Sequence, residues 1–272
     1  MEYLNKIIEG DHIHILKSLP ESFVDLIITS PPYGDLRDYN GYVFNYKDTA
    51  NSLFRILKNG GVCVWIVGDK TENGSETLES LKQALYFKEI GFKVHDTMIY
   101  QKVGCPFPES NRYYQNWEYM FVFSKGKPKT FNPLLIKSNG NGNRKVTNTD
   151  RQKDGSTQRS DCYINEYHPK HNVWQYGSGY MQTTKDKYAY KHPAMFPENL
   201  AKDHILSWSN ENDIILDPMC GSGTVCKMAK ILNRKYIGIE ISKEYCDIAN
   251  KRVNDVIISN NLLNVFKENT LI

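Results

Sequence analysis

Short apolar runs alternate with stretches of helical periodicity along residues 1–124. Asp25 to Thr29 is an apolar run that stops at Ser30-Pro-Pro, a pattern typical of a buried parallel strand. Ser52 to Leu57 predicts the end of a helix that Asn59-Gly-Gly closes. The other predicted elements of this stretch are strands over 61–67, 94–102 and 118–123, and a helix over 78–90 that stops at Gly91.

The same alternation returns at residue 191. Pro197 stands at the start of an amphipathic stretch, a favoured place for proline, and predicts a helix over 198–208. A strand over 213–217, a helix through Leu232, a strand over 235–240 and a helix over 243–256 follow. Strands and helices in alternation predict an α/β fold.

Residues 125–190 have a different composition. Gly, Asn, Ser, Thr and Lys dominate, and Ser138 to Asn143 (SNGNGN) excludes a regular element there. Residues 125–191 hold 13 Lys and Arg against five Asp and Glu, a net charge of +8, while the rest of the chain has a net charge of −5. Aromatic residues recur among these charges, which is typical of a nucleic-acid surface, although a solvated insert would have a similar composition. They are Tyr163, Tyr167, Trp174, Tyr176, Tyr180, Tyr188 and Tyr190.

These differences divide the chain into three parts. Residues 1–124 and 191–272 form the two halves of one α/β domain, and residues 125–190 form an irregular insert between them. No apolar run approaches 18 residues and the N-terminus lacks a secretory pattern, so we expect a cytoplasmic protein without membrane contact. The six cysteines are scattered without a C-x-x-C pair, so we expect no metal site.

A glycine-rich turn gives the strongest cofactor signal. Asp217-Pro-Met-Cys-Gly-Ser-Gly-Thr224 ends a predicted strand in an acidic residue and opens a helix, and its glycines let the backbone approach a ligand closely. The third glycine of a dinucleotide fingerprint is replaced by Cys226, which disfavours a pyrophosphate. Glu240, at the end of the next strand, is placed to accept hydrogen bonds from ribose hydroxyls. S-adenosylmethionine has a ribose, a cationic methionine portion and no phosphate. The predicted cofactor-binding residues here are Asp217, Pro218, Gly221, Gly223, Thr224 and Glu240.

A second motif, Thr29-Ser-Pro-Pro-Tyr33, lies at the end of the first predicted strand. Two prolines fix φ and make a stiff loop that presents a small hydroxyl, backbone carbonyls and one aromatic ring. A nucleobase turned out of a duplex needs acceptors for its amino group and a ring to stack on. The predicted catalytic residues are Ser30, Pro31, Pro32 and Tyr33.

TSPPY together with DPMCGSGT resembles the amino-methyltransferases that modify DNA at cytosine N4 or adenine N6. With TSPPY first and the glycine motif last, the order resembles their β group, whose sheet is similar to a circular permutation of the usual Rossmann-like methyltransferase sheet flanked by helices. Leu57-Lys-Asn-Gly-Gly61 and Glu118 to Lys125 resemble further family motifs, with Asn59 in place of the usual proline.

The resemblance implies additional site residues. Gly10-Asp11 resembles the acidic strand end that approaches the cofactor's adenine, and Lys191 to Pro197 resembles the loop over its methionine end. Asp11, His192 and Pro193 are therefore further expected cofactor contacts. The resemblance also implies base flipping of double-stranded DNA, with residues 125–190 as the target-recognition region. A cognate restriction endonuclease and a monomer or homodimer are further expectations.

Ser30 in SPPY resembles the cytosine-N4 members of this family, and N6-adenine methylation is the alternative. Methylation of RNA or of a protein amide is another, since related P-P-Y loops occur there. A catalytically silent DNA-binding protein on the same scaffold would not need Ser30, Tyr33, Asp217 and Glu240. A nicotinamide dehydrogenase predicts no TSPPY. Cys105 in Gly-Cys-Pro carries little weight as a covalent nucleophile, because cytosine C5 chemistry has a different motif set.

Overall fold

A computed structural model of the chain describes residues 2–32, 44–104, 111–139 and 142–256. Its strands are β1 (Lys6–Glu9), β2 (Val24–Thr29), β3 (Leu57–Val67), β4 (Thr71–Glu72), β5 (Ser75–Glu76), β6 (Lys93–Val103), β7 (Trp117–Ser124), β8 (Leu135–Lys137), β9 (Arg144–Arg151), β10 (Thr157–Ile164), β11 (Tyr167–Pro169), β12 (Val173–Gly177), β13 (Ile214–Asp217) and β14 (Lys235–Glu240). Its α-helices are α1 (His12–Ser18), α2 (Tyr46–Ile56), α3 (Glu79–Glu89), α4 (Glu198–Trp208), α5 (Thr224–Ile231) and α6 (Lys243–Asn254), and a short 3-10 helix covers Lys187–Lys191.

Among these residues, eight strands form one mixed sheet in the order β1-β14-β13-β2-β3-β7-β6-β12. Strand β7 is antiparallel to both of its neighbours, and the other pairings are parallel. Strand β1 pairs with β14, the last strand among the described residues, since Lys6 lies opposite Ile237. The sheet with its covering helices confirms the predicted α/β fold class, and its chain order is that of the permuted arrangement.

The junction between α2 and β3 differs from the sequence prediction. Helix α2 ends at Ile56 and β3 begins at the next residue, so Asn59-Gly-Gly does not close the helix. Val24 of β2 lies opposite Leu57, but Leu26 lies opposite Val62, so the intervening residues of β3 form a bulge. Gly60 in this bulge has φ +80°, and a Cβ there would lie 2.3 Å from the side chain of Lys129. The glycines therefore shape a strand irregularity.

A buried aromatic cluster fills the space between the sheet and helices α2 and α3. The rings of Phe87 and Phe123 stack with centroids 4.5 Å apart, and Trp65 packs against Phe87 at 4.9 Å. The indole nitrogen of Trp65 donates to the side-chain oxygen of Gln83 at 2.8 Å, so this buried polar group is satisfied. Burial of these large side chains fixes the helices on this face of the sheet.

Residues 133–171 form a second compact unit, separate from the unit that carries the sheet. It is narrower than the predicted insert of 125–190, because β12 (Val173–Gly177) adds to the edge of the large sheet. Trp174 and Tyr176 on β12 are buried, so these two aromatic residues belong to the core of the sheet and not to an exposed nucleic-acid surface as predicted. Within the described part of the chain, no helix is long and apolar enough to cross a membrane.

Candidate active site

The two predicted motifs follow two neighbouring strands. Strand β2 leads into Ser30-Pro-Pro and β13 ends at Asp217, and these strands are parallel partners, with Leu26 opposite Ile215. After β2 the chain returns through α2 to β3 on one side, whereas after β13 it returns through α5 to β14 on the other. A crevice forms where two such crossovers diverge, at the carboxyl ends of the strands.

A cavity of about 560 Å³ lies at this crevice. Its volume is in the range of sites for small organic cofactors. Ten of the residues predicted from the sequence line it: Ser30, Pro31, Pro32, His192, Pro193, Asp217, Pro218, Gly221, Thr224 and Glu240. The structure therefore brings both motifs, 187 residues apart from Ser30 to Asp217, to the wall of a single space.

Of the other three predicted residues, Asp11 and Gly223 are described but do not line the cavity. The lining includes Gly10 and His12 but not Asp11, whose carboxylate accepts from the His14 amide at 3.0 Å and caps the start of α1. Gly223 packs under helix α6, where an added Cβ would lie 2.7 Å from the Cβ of Ala249. Its φ of +79° is also a reason for glycine there. Tyr33 lies outside the described residues, as does Cys105.

Glu240 holds the glycine turn. One carboxylate oxygen accepts from the Gly221 amide and the other from the Ser242 amide, both at 2.9 Å. Burial raises the pKa of Glu240, and these backbone amides oppose that effect. Gly221 has φ +50°, and the Nε2 atom of His192 lies 2.6 Å from where a Cβ would stand. The turn is thus fixed by Glu240 on one side and covered by His192 on the other.

Asp217 is almost completely buried, with 2% of its surface exposed. Burial raises its pKa to about 7, although the Met219 amide donates to the carboxylate at 3.2 Å, and the nearby charge of Glu240 adds to the rise. A carboxyl group in this state is poised to ionise when a positive charge is placed next to it. Two acidic groups on one wall make this end of the cavity suited to a cationic ligand that also has hydroxyl groups.

Arg252 of α6 is fully buried and was not predicted from the sequence. Its guanidinium donates to the Ser222 carbonyl oxygen at 2.9 Å and to the Thr224 hydroxyl at 3.0 Å, both in the glycine turn. It also donates to Glu198 at 2.6 Å and to Asp186 at 2.8 Å. Arg252 therefore ties the turn to the segment between β12 and α4.

Lys227 completes this buried ion network. Its ammonium lies 2.7 Å from Asp186 and 2.8 Å from Glu198, so two cations face two carboxylates. Burial acts to raise the pKa of Asp186, but the hydrogen bonds from Lys227 and Arg252 outweigh it and leave the pKa lowered. The sequence held a signal for Arg252, because a charge stands on the apolar stripe of α6 beside Ala249 and Val253.

The segment between β12 and α4 forms one wall of the cavity. Ser178, Gly179, Thr183 and Tyr190 contribute to the lining, followed by His192 and the four residues after it. The motif Lys191 to Pro197 signalled this wall, but Met195 and Phe196 in it were not singled out from the sequence. Their apolar side chains add a surface that excludes water from the cavity.

His12 also lines the cavity and is buried. Thr49 donates its hydroxyl proton to the Asn45 carbonyl oxygen at 2.8 Å, so the 2.9 Å contact with His12 requires Nε2 of the imidazole to donate. Burial lowers the pKa of His12 and outweighs the nearby charge of Asp11, which acts to raise it. The lowered pKa favours the neutral ring. His12 thus contributes a fixed tautomer to the cavity and not a positive charge.

The cavity extends to the ends of β6 and β7, where Tyr100, Lys102 and Glu118 line it. Lys102 forms an ion pair with Glu118, and burial together with the charge of Glu118 raises the pKa of the Tyr100 hydroxyl. These three residues are on β6 and β7, which are separated from β14, the strand that carries Glu240, by β13, β2 and β3. The cavity therefore has two ends with different chemistry.

Cys220 also lines the cavity. Its pKa is raised by the adjacent Cys226 thiol and by burial, so the thiol stays protonated and is a poor nucleophile. Within the described residues, no group of three or more His, Cys, Asp or Glu side chains is placed to hold a metal ion.

A mixed sheet with this crevice, a glycine turn braced by an acidic residue and a Ser-Pro-Pro loop beside it define an enzyme of the methyltransferase type with a nucleoside cofactor. The sequence profile of the N6/N4 DNA methylase family matches residues 24–251, and the chain belongs to this family. The protein is therefore a DNA methyltransferase.

Individual relatives extend this assignment. The chain is 55% identical over 246 residues to the orphan methyltransferase M.BamHII of Bacillus amyloliquefaciens, covering 89% of this chain and 93% of that protein. Two solved structures share its fold. The PvuII DNA methyltransferase (cytosine-N4-specific) matches with a TM-score of 0.66 at 18% identity, covering 98% of this chain and 95% of the other. The M1.HpyAVI–SAM complex matches with a TM-score of 0.59 at 24% identity, covering 92% and 99%.

Proposed function

We propose that this DNA methyltransferase transfers a methyl group from S-adenosylmethionine to the N4 amino group of cytosine in double-stranded DNA. One observation carries the proposal: the Ser30-Pro-Pro loop and the Asp217 to Thr224 turn follow adjacent parallel strands and line the same cavity. A methyl donor at one motif and an amino group at the other would then be neighbours.

The residues of the glycine turn fit S-adenosylmethionine. Glu240 lines the cavity with a carboxylate that can accept from ribose hydroxyls, and Asp217 offers the buried negative charge that a sulfonium and an ammonium group require. The turn lacks the third glycine of a pyrophosphate site, in keeping with a ligand without phosphates. When bound, S-adenosylmethionine supplies an electrophilic methyl group. His192 and Phe196, on the segment after β12, would enclose its methionine end.

The Ser30-Pro-Pro loop would hold the base. The Ser30 hydroxyl and the Pro31 carbonyl oxygen accept hydrogen bonds from the exocyclic amino group, which draws the nitrogen lone pair away from the ring. Tyr33, next in the motif, would stack on the extruded base; its position lies outside the described residues. An amino group held in line with the methyl gains about 7–11 kcal/mol from orientation and proximity. The amino proton leaves to solvent or to an acceptor oxygen after transfer.

The choice of cytosine rests on Ser30. In this family the SPPY form of the motif resembles that of the cytosine-N4 members, while DPPY resembles that of the adenine-N6 members. Ser30 is one of the residues that line the cavity. We therefore assign cytosine as the base, and adenine N6 is the outcome that would correct the assignment.

Double-stranded DNA as substrate fits the charge distribution of the chain. Residues 125–191 have a net charge of +8, and phosphates of a duplex are the complementary partner. Several relatives are named type II methyltransferases, such as M.BglII of Bacillus subtilis, which supports a role in restriction-modification. M.BamHII is named an orphan methyltransferase, and methyl transfer itself requires no endonuclease.

Mass spectrometry of nucleosides tests this function. The purified protein is incubated with S-adenosylmethionine and DNA from a methylation-deficient host, and the digested DNA is searched for N4-methylcytosine and N6-methyladenine. We expect N4-methylcytosine alone. N6-methyladenine would move the assignment to the other amino group, and absence of both, with RNA also unmodified, would point to the catalytically silent scaffold. Sequencing that detects modified bases gives the target motif from the same sample.

A further inference from the structure

The second unit contains a two-stranded ribbon. Strands β9 and β10 pair in an antiparallel register from Arg144 opposite Ile164 to Arg151 opposite Thr157, and the connecting residues 152–156 turn at Gly155, which has φ +85°. Eight residues in each strand give the ribbon a length of about 26 Å. Side chains of a strand alternate between its two faces, so the register assigns each residue to one face.

The two faces differ in burial. One face carries the half-buried side chains of the ribbon, which are Val146, Cys162 and Ile164. The side chains of the opposite face are all exposed. We call this opposite face the ribbon face, and its members used below are Lys145, Thr147, Thr149, Arg151, Arg159, Asp161 and Tyr163. Tyr163 on it is 71% exposed although it is aromatic.

The faces also differ in charge. The ribbon face has three cations against one carboxylate, that of Asp161, which accepts from Lys145 at 2.6 Å and from Thr147 at 2.8 Å. These bonds lower the pKa of Asp161 and hold Lys145 in place. Arg151 and Arg159 are the other two cations of that face.

The half-buried face has one cation and one carboxylate. Asp150 there accepts from the Ser160 hydroxyl at 3.3 Å, and the Asn148 amide donates to the Cys162 sulfur at 3.2 Å. Its polar side chains thus bond largely to one another across the ribbon. The ribbon face, by contrast, offers guanidinium groups, threonine methyl groups and a phenol ring to a partner.

We propose that the ribbon face enters the major groove of the target DNA and reads its sequence; this rests on the proposed function. The major groove of B-form DNA is about 12 Å wide and admits a two-stranded ribbon. Arginine donates two hydrogen bonds to guanine, and threonine contacts the methyl group of thymine. The corresponding groove of RNA is too narrow for side chains to read, so the geometry selects DNA.

The test compares R151A and R159A with R144A. All three remove one positive charge from the same ribbon, but Arg144 lies on the half-buried face. We expect R151A and R159A each to lower kcat/KM on DNA by about 5- to 100-fold and to relax the methylated motif at one position. R144A should keep both the rate and the motif. Affinity for S-adenosylmethionine and the unfolding temperature should be the same in all three variants.

Two results would overturn the proposal. One is an unchanged motif in both R151A and R159A, and the other is an equal loss of rate in R144A. Failure of the wild-type protein to methylate any DNA would instead contradict the proposed function. The ribbon face would then be judged by binding to a mixture of DNA duplexes that differ in sequence, in which R151A and R159A, unlike R144A, should each lower the preference for the best-bound sequence by about 5- to 100-fold. An unchanged preference in both variants would reject it.

Discussion

Arg252 on helix α6 donates to the carbonyl oxygen of Ser222 in the glycine turn, at 2.9 Å and without exposure to solvent. The same guanidinium reaches Asp186 and Glu198, which stand in the chain on either side of the lining segment His192 to Phe196. One buried cation thus sets the spacing between the floor of the proposed cofactor site and the segment that covers it. Because α6 follows β14, which ends at Glu240, a single stretch of chain positions both Glu240 and the bond that braces the turn.

We predict that R252M destabilises the fold and weakens cofactor binding. Removal of the guanidinium leaves Asp186 and Glu198 with Lys227 as the remaining cation of the network, and breaking a buried ion pair costs about 3–5 kcal/mol. R252K keeps the charge but loses the planar guanidinium, so its stability and cofactor affinity should lie between those of R252M and the wild type. Thermal unfolding and titration calorimetry with S-adenosylmethionine measure both effects. The neighbouring K251M, on the exposed side of α6, is the control. If R252M binds cofactor as the wild type does, Arg252 does not brace the turn.

We predict that E240Q lowers affinity for S-adenosylmethionine by at least tenfold with a small loss of stability. The amide keeps one oxygen for the Gly221 or Ser242 amide but presents an NH₂ group in place of the other acceptor. E240A should be less stable by a further 1–3 kcal/mol or so, since both backbone donors lose their partner. Calorimetry together with denaturant unfolding separates the two effects. Undiminished cofactor affinity in E240Q would remove Glu240 from the binding site.

We predict that cofactor affinity rises with pH around neutrality and that Asp217 causes part of the rise. Its pKa in the folded protein is about 7, well above the ordinary value, because the group is buried. The cationic ligand favours the ionised form, so binding releases a proton from Asp217 near pH 6.5 and little of one above pH 8. Calorimetry in buffers of different ionisation enthalpy measures this proton release. D217N should bind more weakly and release fewer protons, and equal release from D217N would assign the effect to another group.

The same pKa has a consequence for stability. A carboxyl group whose folded pKa is raised contributes stability below its unfolded pKa near 4, and that contribution is lost as pH rises through about 7. Without ligand, the wild-type protein should therefore lose stability relative to D217N between pH 5 and pH 8. Denaturant unfolding at both pH values checks this. A constant difference between the two proteins would contradict the raised pKa.

We predict that S30A and Y33A reduce methyl transfer while leaving cofactor affinity within about twofold. Ser30 follows β2 and is not part of the glycine turn, and loss of one hydrogen bond to the base should cost about tenfold or more in kcat. Loss of base stacking in Y33A should cost about 1–3 kcal/mol in DNA binding and turnover. Methyl transfer from labelled S-adenosylmethionine gives the rate. Wild-type turnover by Y33A would reject the stacking role.

Much of the fold followed from local sequence patterns. Buried parallel strands such as Lys235–Glu240 have continuous apolar runs, and the Pro197 boundary placed α4 correctly. The prediction for the α2–β3 junction is wrong because Asn-Gly-Gly is equally suited to a strand bulge and to the end of a helix. Only pairing with β2 distinguishes them, and that pairing is not local. For the same reason β12 was predicted as part of an irregular insert.

The candidate site followed from the sequence where a motif stands at a strand end. Asp217 and Glu240 are of this kind, since the end of a parallel strand faces the crevice. His12 and Arg252 were missed because their positions depend on contacts with Thr49 and Ser222, which are distant in the chain. Asp11 is predicted to contact the cofactor, and in the structure its carboxylate caps helix α1. A short acidic motif before a helix does not by itself separate these two roles.

The pairing of β2 with β13 also shapes how the protein is made. Leu26 leaves the ribosome long before its partner Ile215, and at 5–20 residues per second the delay is on the order of 10–40 s. During that time the nascent chain exposes an apolar strand edge at what will become the centre of the sheet. Chaperone capture of the growing polypeptide, and aggregation of truncated products, should therefore concentrate on β2 until β13 has been synthesised.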